Sequence, residues 1–224
     1  MKDMSKSDFS LGKAVHKLLV EEGIETPMVR STLNLSEENY HLIEGHIQAI
    51  MVALGLDMKD DSLVETPKRI AKMYLNEVFW GLNYMYFPKI TTIENKMQYS
   101  NMLVERHIKV NSLCEHHFMP FVGEAFVAYI PNTKVIGLSK INRLVEFFSR
   151  RPQVQERLTE QVFFALSYVL ETDNVAVVIK ADHTCVRVRG VEDTNADTVT
   201  SRLGGCFLDN FNLRNELFNI LHIG

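Results

Sequence analysis

The sequence predicts an α+β fold: N-terminal helices, then antiparallel strands and helices in the order β-β-α-α-β-β, closed by one more helix. Three observations carry that expectation. Apolar residues recur at helical spacing through the first hundred residues. After about Pro88 the segments become β-branched and aromatic. Two helical runs then separate the earlier strands from the later ones. The change of grammar suggests two regions, 1–95 helical and 96–224 mixed.

Each element has its own warrant. Ser10 to Glu22 carries Val15, Leu18 and Leu19 at helical spacing, with Gly23 as a stop. Ser36 to Leu54 starts on a capping serine. Glu37 and Glu38 sit in its positive first turn, and Ile43, Ile47, Ile50 and Leu54 form one apolar stripe. The third helix opens at Thr66-Pro67 and runs to Gly81, with Ile70, Met73, Tyr74 and Val78 expected in the core. On a neighbouring face, Arg69 and Lys72 are three apart and can reach one point. Strands follow at Met102–Val110, Val122–Ile130 and Val135–Gly137, the last two joined by the turn Pro131-Asn132-Thr133-Lys134. Helices are expected at Ser139–Arg150 and Pro152–Glu171. The latter carries Val154, Leu158, Val162, Leu166 and Val169 inward. A strand from Asn174 to Asp182 is expected to continue through Val186 and Val188 to Gly190. A further strand is expected near Thr198–Leu203, and a closing helix over Asn210–Leu221.

Composition excludes several classes. With 46% hydrophobic and 23% charged residues, the chain has the balance of a packed globular protein. A net charge of −4 offers no global field for nucleic acid or an anionic membrane. No stretch approaches the roughly 18 unbroken apolar residues of a membrane helix. The first ten residues lack the apolar core of a secretory signal. Three cysteines are too few, and odd in number, for a disulfide framework. The expected address is the cytoplasm.

Two clusters carry chemistry. Cys114-Glu115-His116-His117 places a soft sulfur and an imidazole three apart on a turn, able to meet at one cation. His183-Thr184-Cys185 repeats that content; in an extended segment both side chains project to one side, along with Arg187 and Arg189. Two cysteines and one histidine leave a fourth tetrahedral position open, as in catalytic zinc sites. Four protein ligands would close it as a structural one. Spacing alone leaves both readings open. Ser139-Lys140-Ile141-Asn142-Arg143 begins a helix whose N–H groups and cations suit phosphate oxygens. With Arg69, Lys72, Arg187 and Arg189 they make a candidate polyanion site. Cys206, after Gly204-Gly205, is expected to be structural.

Five segments together resemble GTP cyclohydrolase I. They are Glu65 to Met73, Ser112 to His117, Gly137 to Arg143, Arg151 to Thr159, and His183-Thr184-Cys185 followed by Arg189-Gly190. The likeness runs from about Glu25 to Leu221, with the motifs in order. It implies a tunnelling fold after the N-terminal helices, a homodecamer with active sites between subunits, and one Zn2+ per subunit. It implies GTP as substrate, with water opening the purine at C8 to release formate and give 7,8-dihydroneopterin triphosphate. Cys114, His117 and Cys185 match the zinc ligands. His116 and His183 match the remaining site histidines, for proton transfer and orientation, and Ser139 a participant in the ribose rearrangement. Gln155 and Glu156 fall among the substrate-binding residues, Glu156 receiving guanine N–H groups. Arg69, Lys72, Lys140, Arg143 and Arg189 would hold the triphosphate. Val191-Glu192-Asp193-Thr194-Asn195 is more acidic than a phosphate site would suggest. Two competing readings are another purine or pterin substrate, and a structural zinc module with His116 or His183 as fourth ligand.

Overall fold

The computed structural model describes residues 4–29 and 37–221; the cap expected at Ser36 lies outside the described residues. Helix α1 (Phe9–Glu21) starts one residue before the expected Ser10, because the Asp8 carboxylate accepts from the Leu11 amide at 2.9 Å and caps it. Val15 and Leu19 are buried, and Gly23, at φ +71°, turns the chain away. Helix α2 (Glu37–Ala53) carries both expected glutamates in its first turn, yet only its Met51 is buried. Ile43 and Ile47 are half-buried and Ile50 and Leu54 exposed, so the predicted stripe exists without a cover in one chain.

Helix α3 (Thr66–Met73) has Pro67 in its first turn and ends in a wider π turn, Tyr74–Val78, followed by a 3-10 turn, Trp80–Leu82. Its inward face is Ala71, Leu75 and Phe79, one position round from the expected Ile70, Tyr74 and Val78; Met73 is exposed. Ala71 is small enough to let the helix approach its support closely, a property hydrophobic spacing does not register.

The remaining elements are β1 (Thr92–Glu94), β2 (Leu103–Cys114), β3 (Pro120–Tyr129), β4 (Lys134–Ile136), α4 (Leu138–Ser149), β5 (Pro152–Gln153), α5 (Gln155–Leu170), β6 (Val175–His183), α6 (Thr184–Arg187), β7 (Thr198–Leu203), α7 (Cys206–Asp209) and α8 (Phe211–Leu221). The main sheet has the order β5-β2-β3-β6-β7 and is antiparallel except for the short β2–β5 pair. The pair β1–β4 forms a separate ribbon. Alternation along the strands divides the core. Val110, Val127, Val177 and Ile179 pack with Leu144 and Val145 of α4 and Leu158, Val162 and Leu166 of α5, joined by Val15 and Leu19. Phe126, Ala128, Ala176 and Val178 face the other way, onto Phe207, Leu217 and Leu221.

Register positions the site. Leu113 pairs with Pro120, Phe121 with His183, and Cys114 with Gln153. The end of β2, the start of α5 and the end of β6 therefore meet at one end of the sheet.

Candidate metal centre

Cys114 closes β2 on a tight loop: its N–H donates to Met119 O at 2.8 Å, and Phe118 N–H returns to Cys114 O at 2.8 Å. The thiol is buried, while His116 and His117 stand exposed on the loop. Glu115 N–H donates to Gln153 O at 3.0 Å, and its carboxylate accepts from Arg157 at 2.6 and 3.3 Å. The loop is thus fastened to the start of α5 by backbone and by a forked ion pair. That pair holds the Glu115 carboxyl below the usual carboxylate range.

The second cluster is built differently from its expected extended form. Strand β6 ends at His183, and the chain coils into the single turn α6, with Val188 N–H on Thr184 O at 3.0 Å. Thr184 Oγ1 donates to Pro120 O, an anchor that an extended continuation would forfeit. His183 and Cys185 therefore converge through a helical turn, not strand alternation. The shared face expected for Arg187 and Arg189 does not exist: Arg187 donates to Thr194 O and pairs with Asp182 at 3.2 Å, whereas Arg189 reaches His117.

The donor atoms of Cys114, His183 and Cys185 lie within 4.8 Å of one another. Burial pushes the Cys185 thiol above its ordinary pKa, and adjacent Cys114 adds to this; Arg189 opposes it. Two thiols side by side resist joint ionisation, and a divalent cation between them removes that resistance. Two sulfurs and an imidazole are a soft, borderline donor set, and the cluster fits a zinc site. His183 stacks flat on Phe121, ring centroids 4.6 Å apart and planes 12° from parallel. Burial lowers its pKa, against the carboxylates of Glu156 and Asp182, so its imidazole is neutral at neutral pH. Its Nε2 lies 2.9 Å from Gln155 Oε1.

The other expected residues divide into near and far. His116 Nδ1 is 3.6 Å from Cys114 Sγ. His117 lies outside the three-donor cluster; its Nε2 accepts from Arg189 at 2.8 Å. Glu156 is exposed at the start of α5 and close enough to act electrostatically on His183. Gln155, next to it in sequence, is buried. Ser139, Lys140 and Arg143 sit on the first turns of α4, and Arg69 and Lys72 on α3. Among the described residues none of these five bonds to the cluster, and Arg143 lines a separate cavity with Lys109, Asn111 and Arg150. In the acidic segment, Asp193 is occupied, accepting from the amides of Asn195 and Ala196. Sequence reasoning passed over the Glu115–Arg157 pair and the Gln155–His183 bond. Both lie inside motifs it quoted, and their only signal was proximity in sequence to Cys114 and Glu156.

A sequence model of the family described as GTP cyclohydrolase I matches residues 43–222. The GTP cyclohydrolase 1 of Aeromonas salmonicida (strain A449) is 58% identical over 193 residues, covering 86% of this chain and 88% of that protein. That of Erwinia tasmaniensis is 55% identical over 203 residues, 90% of this chain and 92% of the other. The GTP cyclohydrolase 1 of Haemophilus ducreyi is 50% identical over 213 residues, 95% and 97% of the two chains. Among solved structures, a dihydroneopterin aldolase from Burkholderia thailendensis bound to guanine overlaps at a TM-score of 0.33 with 14% identity, covering 50% of this chain and 97% of that one.

Proposed function

The chain belongs to the GTP cyclohydrolase I family, and from that premise we propose how its residues divide the work. The reaction is hydrolytic opening of the GTP imidazole ring at C8, giving 7,8-dihydroneopterin triphosphate and formate, the first step toward folate or tetrahydropterin. The observation that carries the reading is the gathering of Cys114, His183 and Cys185 donor atoms within 4.8 Å at the sheet end.

Cys114, His117 and Cys185 hold one zinc per subunit. What supports His117 is its place three residues after Cys114 on the same loop; zinc would take the Nε2 lone pair that accepts from Arg189, so Arg189 would have to release it. When bound there, zinc supplies Lewis-acid activation of water near neutral pH. His183 and His116 take and return protons as the purine N7 and the ring nitrogens change charge. The Glu156 carboxylate accepts the guanine N1–H and amino N–H; adenine offers a lone pair at N1, so the same carboxylate repels it. Gln155 stands beside His183, and Ser139 assists the ribose rearrangement.

The triphosphate falls to Arg189, Arg69, Lys72, Lys140 and Arg143. Arg189 stands beside the cluster, whereas among the described residues the other four make no bond to it; a site completed by neighbouring subunits would bring them together. A homodecamer agrees with two further observations. Among the described residues the outer edge of β7 pairs with no strand, and β5 covers only Leu113 and Cys114 of β2. The stripe of α2 is uncovered. In this assignment residues 1–95 serve assembly and lend Arg69 and Lys72 to the phosphates, and 96–224 carry the chemistry and the other three cations. We place the enzyme in the cytoplasm, a reading supported by its three free cysteines; among the described residues no helix is long and apolar enough to cross a membrane.

The membership of His183 in the donor cluster favours one rival, a closed site in which His183 is a ligand. Two variants separate them. His183→Ala is expected to keep zinc at one per chain and lose formate release, and His117→Ala to lose zinc. Metal loss in His183→Ala with retention in His117→Ala overturns the assignment. Incubation of the zinc-loaded protein with GTP yields formate and, after oxidation, a fluorescent pterin; absence of both overturns the activity.

A further inference from the structure

Gln155 is 1% exposed, and its amide is committed on both sides. Its Nε2 donates to Ile179 O at 3.0 Å, Thr198 O at 2.9 Å and Thr200 Oγ1 at 3.1 Å. Two of these partners are carbonyl oxygens, which only accept. Rotating the amide by half a turn would set its oxygen lone pairs against those of two carbonyl oxygens. The orientation is therefore fixed, and Oε1 faces His183 Nε2 at 2.9 Å. An amide oxygen only accepts, so Nε2 of His183 carries the hydrogen. A neutral imidazole has one N–H, and the free lone pair is left on Nδ1.

The surroundings hold this arrangement. Phe121 fixes the plane of the His183 ring. Thr159 Oγ1 donates to Gln155 O at 2.9 Å and lies 2.7 Å from Thr200 Oγ1, so the first turn of α5 and strand β7 grip the glutamine together.

We propose that Gln155 is a positioning residue whose amide oxygen holds His183 as the Nε2–H tautomer, making Nδ1 the nitrogen that works in the reaction. The inference rests on the proton-transfer role given to His183 above. It separates Gln155 from Glu156: one fixes the histidine, the other reads the base. Loss of a group that fixes a histidine tautomer costs up to about 10⁴ in kcat where the partner is a carboxylate. A neutral amide is expected to matter less.

Gln155→Leu fills the space and removes both halves of the amide. It is expected to lower kcat roughly 10- to 100-fold, with KM for GTP and zinc per chain unchanged. Thr200→Val removes one acceptor and is expected to lower kcat less, in the same direction. A raised KM with unchanged kcat in Gln155→Leu assigns the side chain to guanine and overturns the proposal; so does unchanged activity. Neutron diffraction from deuterated crystals of the unmutated, zinc-loaded protein tests the bond directly. A deuteron on His183 Nε2 facing Gln155 is expected, and its absence overturns the assignment. His183→Ala keeps the two readings apart. If it is active, the proton-transfer reading fails; if it is dead while Gln155→Leu is fully active, only the tautomer proposal fails.

Discussion

At the scale of single residues, the fold turns on a buried cation as much as on the metal ligands. The Arg151 side chain is fully enclosed and lies against the rings of Tyr84, Phe147 and Phe148 at 5.2, 4.9 and 4.9 Å. Its guanidinium donates to Glu25 at 3.0 Å, to Thr26 Oγ1 at 3.3 Å and to Gly81 O, and Tyr84 donates to the same Glu25 carboxylate. Burial drives the Tyr84 hydroxyl well above its ordinary pKa, so it remains a donor. Removing one partner of a buried pair leaves the other charge uncompensated. Arg151→Met is therefore expected to cost about 3–5 kcal/mol of unfolding free energy. Adding Glu25→Gln should recover part of it, and denaturant midpoints of the single and double variants check this. An additive double variant would deny the coupling. Residues of this kind were not legible in the sequence: an arginine before a proline reads as surface charge until the fold encloses it. Cys114 and Cys185 were legible because thiols are scarce in this chain and each has a histidine close by in sequence.

At the scale of elements, the sequence was clearest where one periodicity ran unbroken. Strand β7 was expected and found at Thr198–Leu203, and Leu158, Val162 and Leu166 of α5 face the core as expected. It misled where a short-range anchor changed the path. The β-branched run after His183 reads as strand, but Thr184 bonds Pro120 and starts a helical turn that alternation does not encode. Pro152 was expected to open α5, yet Pro152–Gln153 pairs with β2 and the helix begins at Gln155. Gly81 was expected as a helix stop, and its actual role is close approach. A Cβ there would lie 2.1 Å from Phe147 O and 2.8 Å from Arg150 O, and its own N–H donates to Arg150 O at 2.9 Å. Gly81→Ala must push the end of α4 away, toward β5 and the loop that carries Cys114. It is expected to cost about 1–3 kcal/mol or more. Gly45, inside α2, meets nothing within 4 Å, so Gly45→Ala is expected to be neutral or to stabilise by up to about 1 kcal/mol. Thermal or denaturant unfolding of the two variants checks the contrast, and equal effects would show that backbone approach at Gly81 is not what selects glycine.

At the scale of the whole molecule, the unsatisfied features of one chain point the same way. Helix α2 spans Glu37–Ala53 and buries one residue; on its apolar stripe Ile50 is 56% exposed and Leu54, just past its end, 71%. A helix gains most of its stability by burying an apolar face, and contiguous exposed patches of this kind mark association surfaces. The cations assigned to the triphosphate are also divided, with Arg189 beside the thiols and Arg69, Lys72, Lys140 and Arg143 on helices that make no bond to them. A net charge of −4 hides this set, since it sums over the surface and says nothing of where the cations lie. These facts make a sharp test of the proposed assembly. Ile50→Glu puts a charge on a side chain already 56% exposed, so a free chain should keep its fold and its zinc. In a decamer that covers α2 the same charge is buried at a subunit contact, where an unpaired carboxylate costs several kcal/mol. Sedimentation is expected to show a smaller assembly than the unmutated protein, with zinc retained and GTP turnover lost, because the chemistry survives in each chain while its phosphate clamp does not. An assembly of unchanged mass would remove α2 from the contact. Full turnover by a dissociated chain would show instead that one subunit carries every residue the substrate needs.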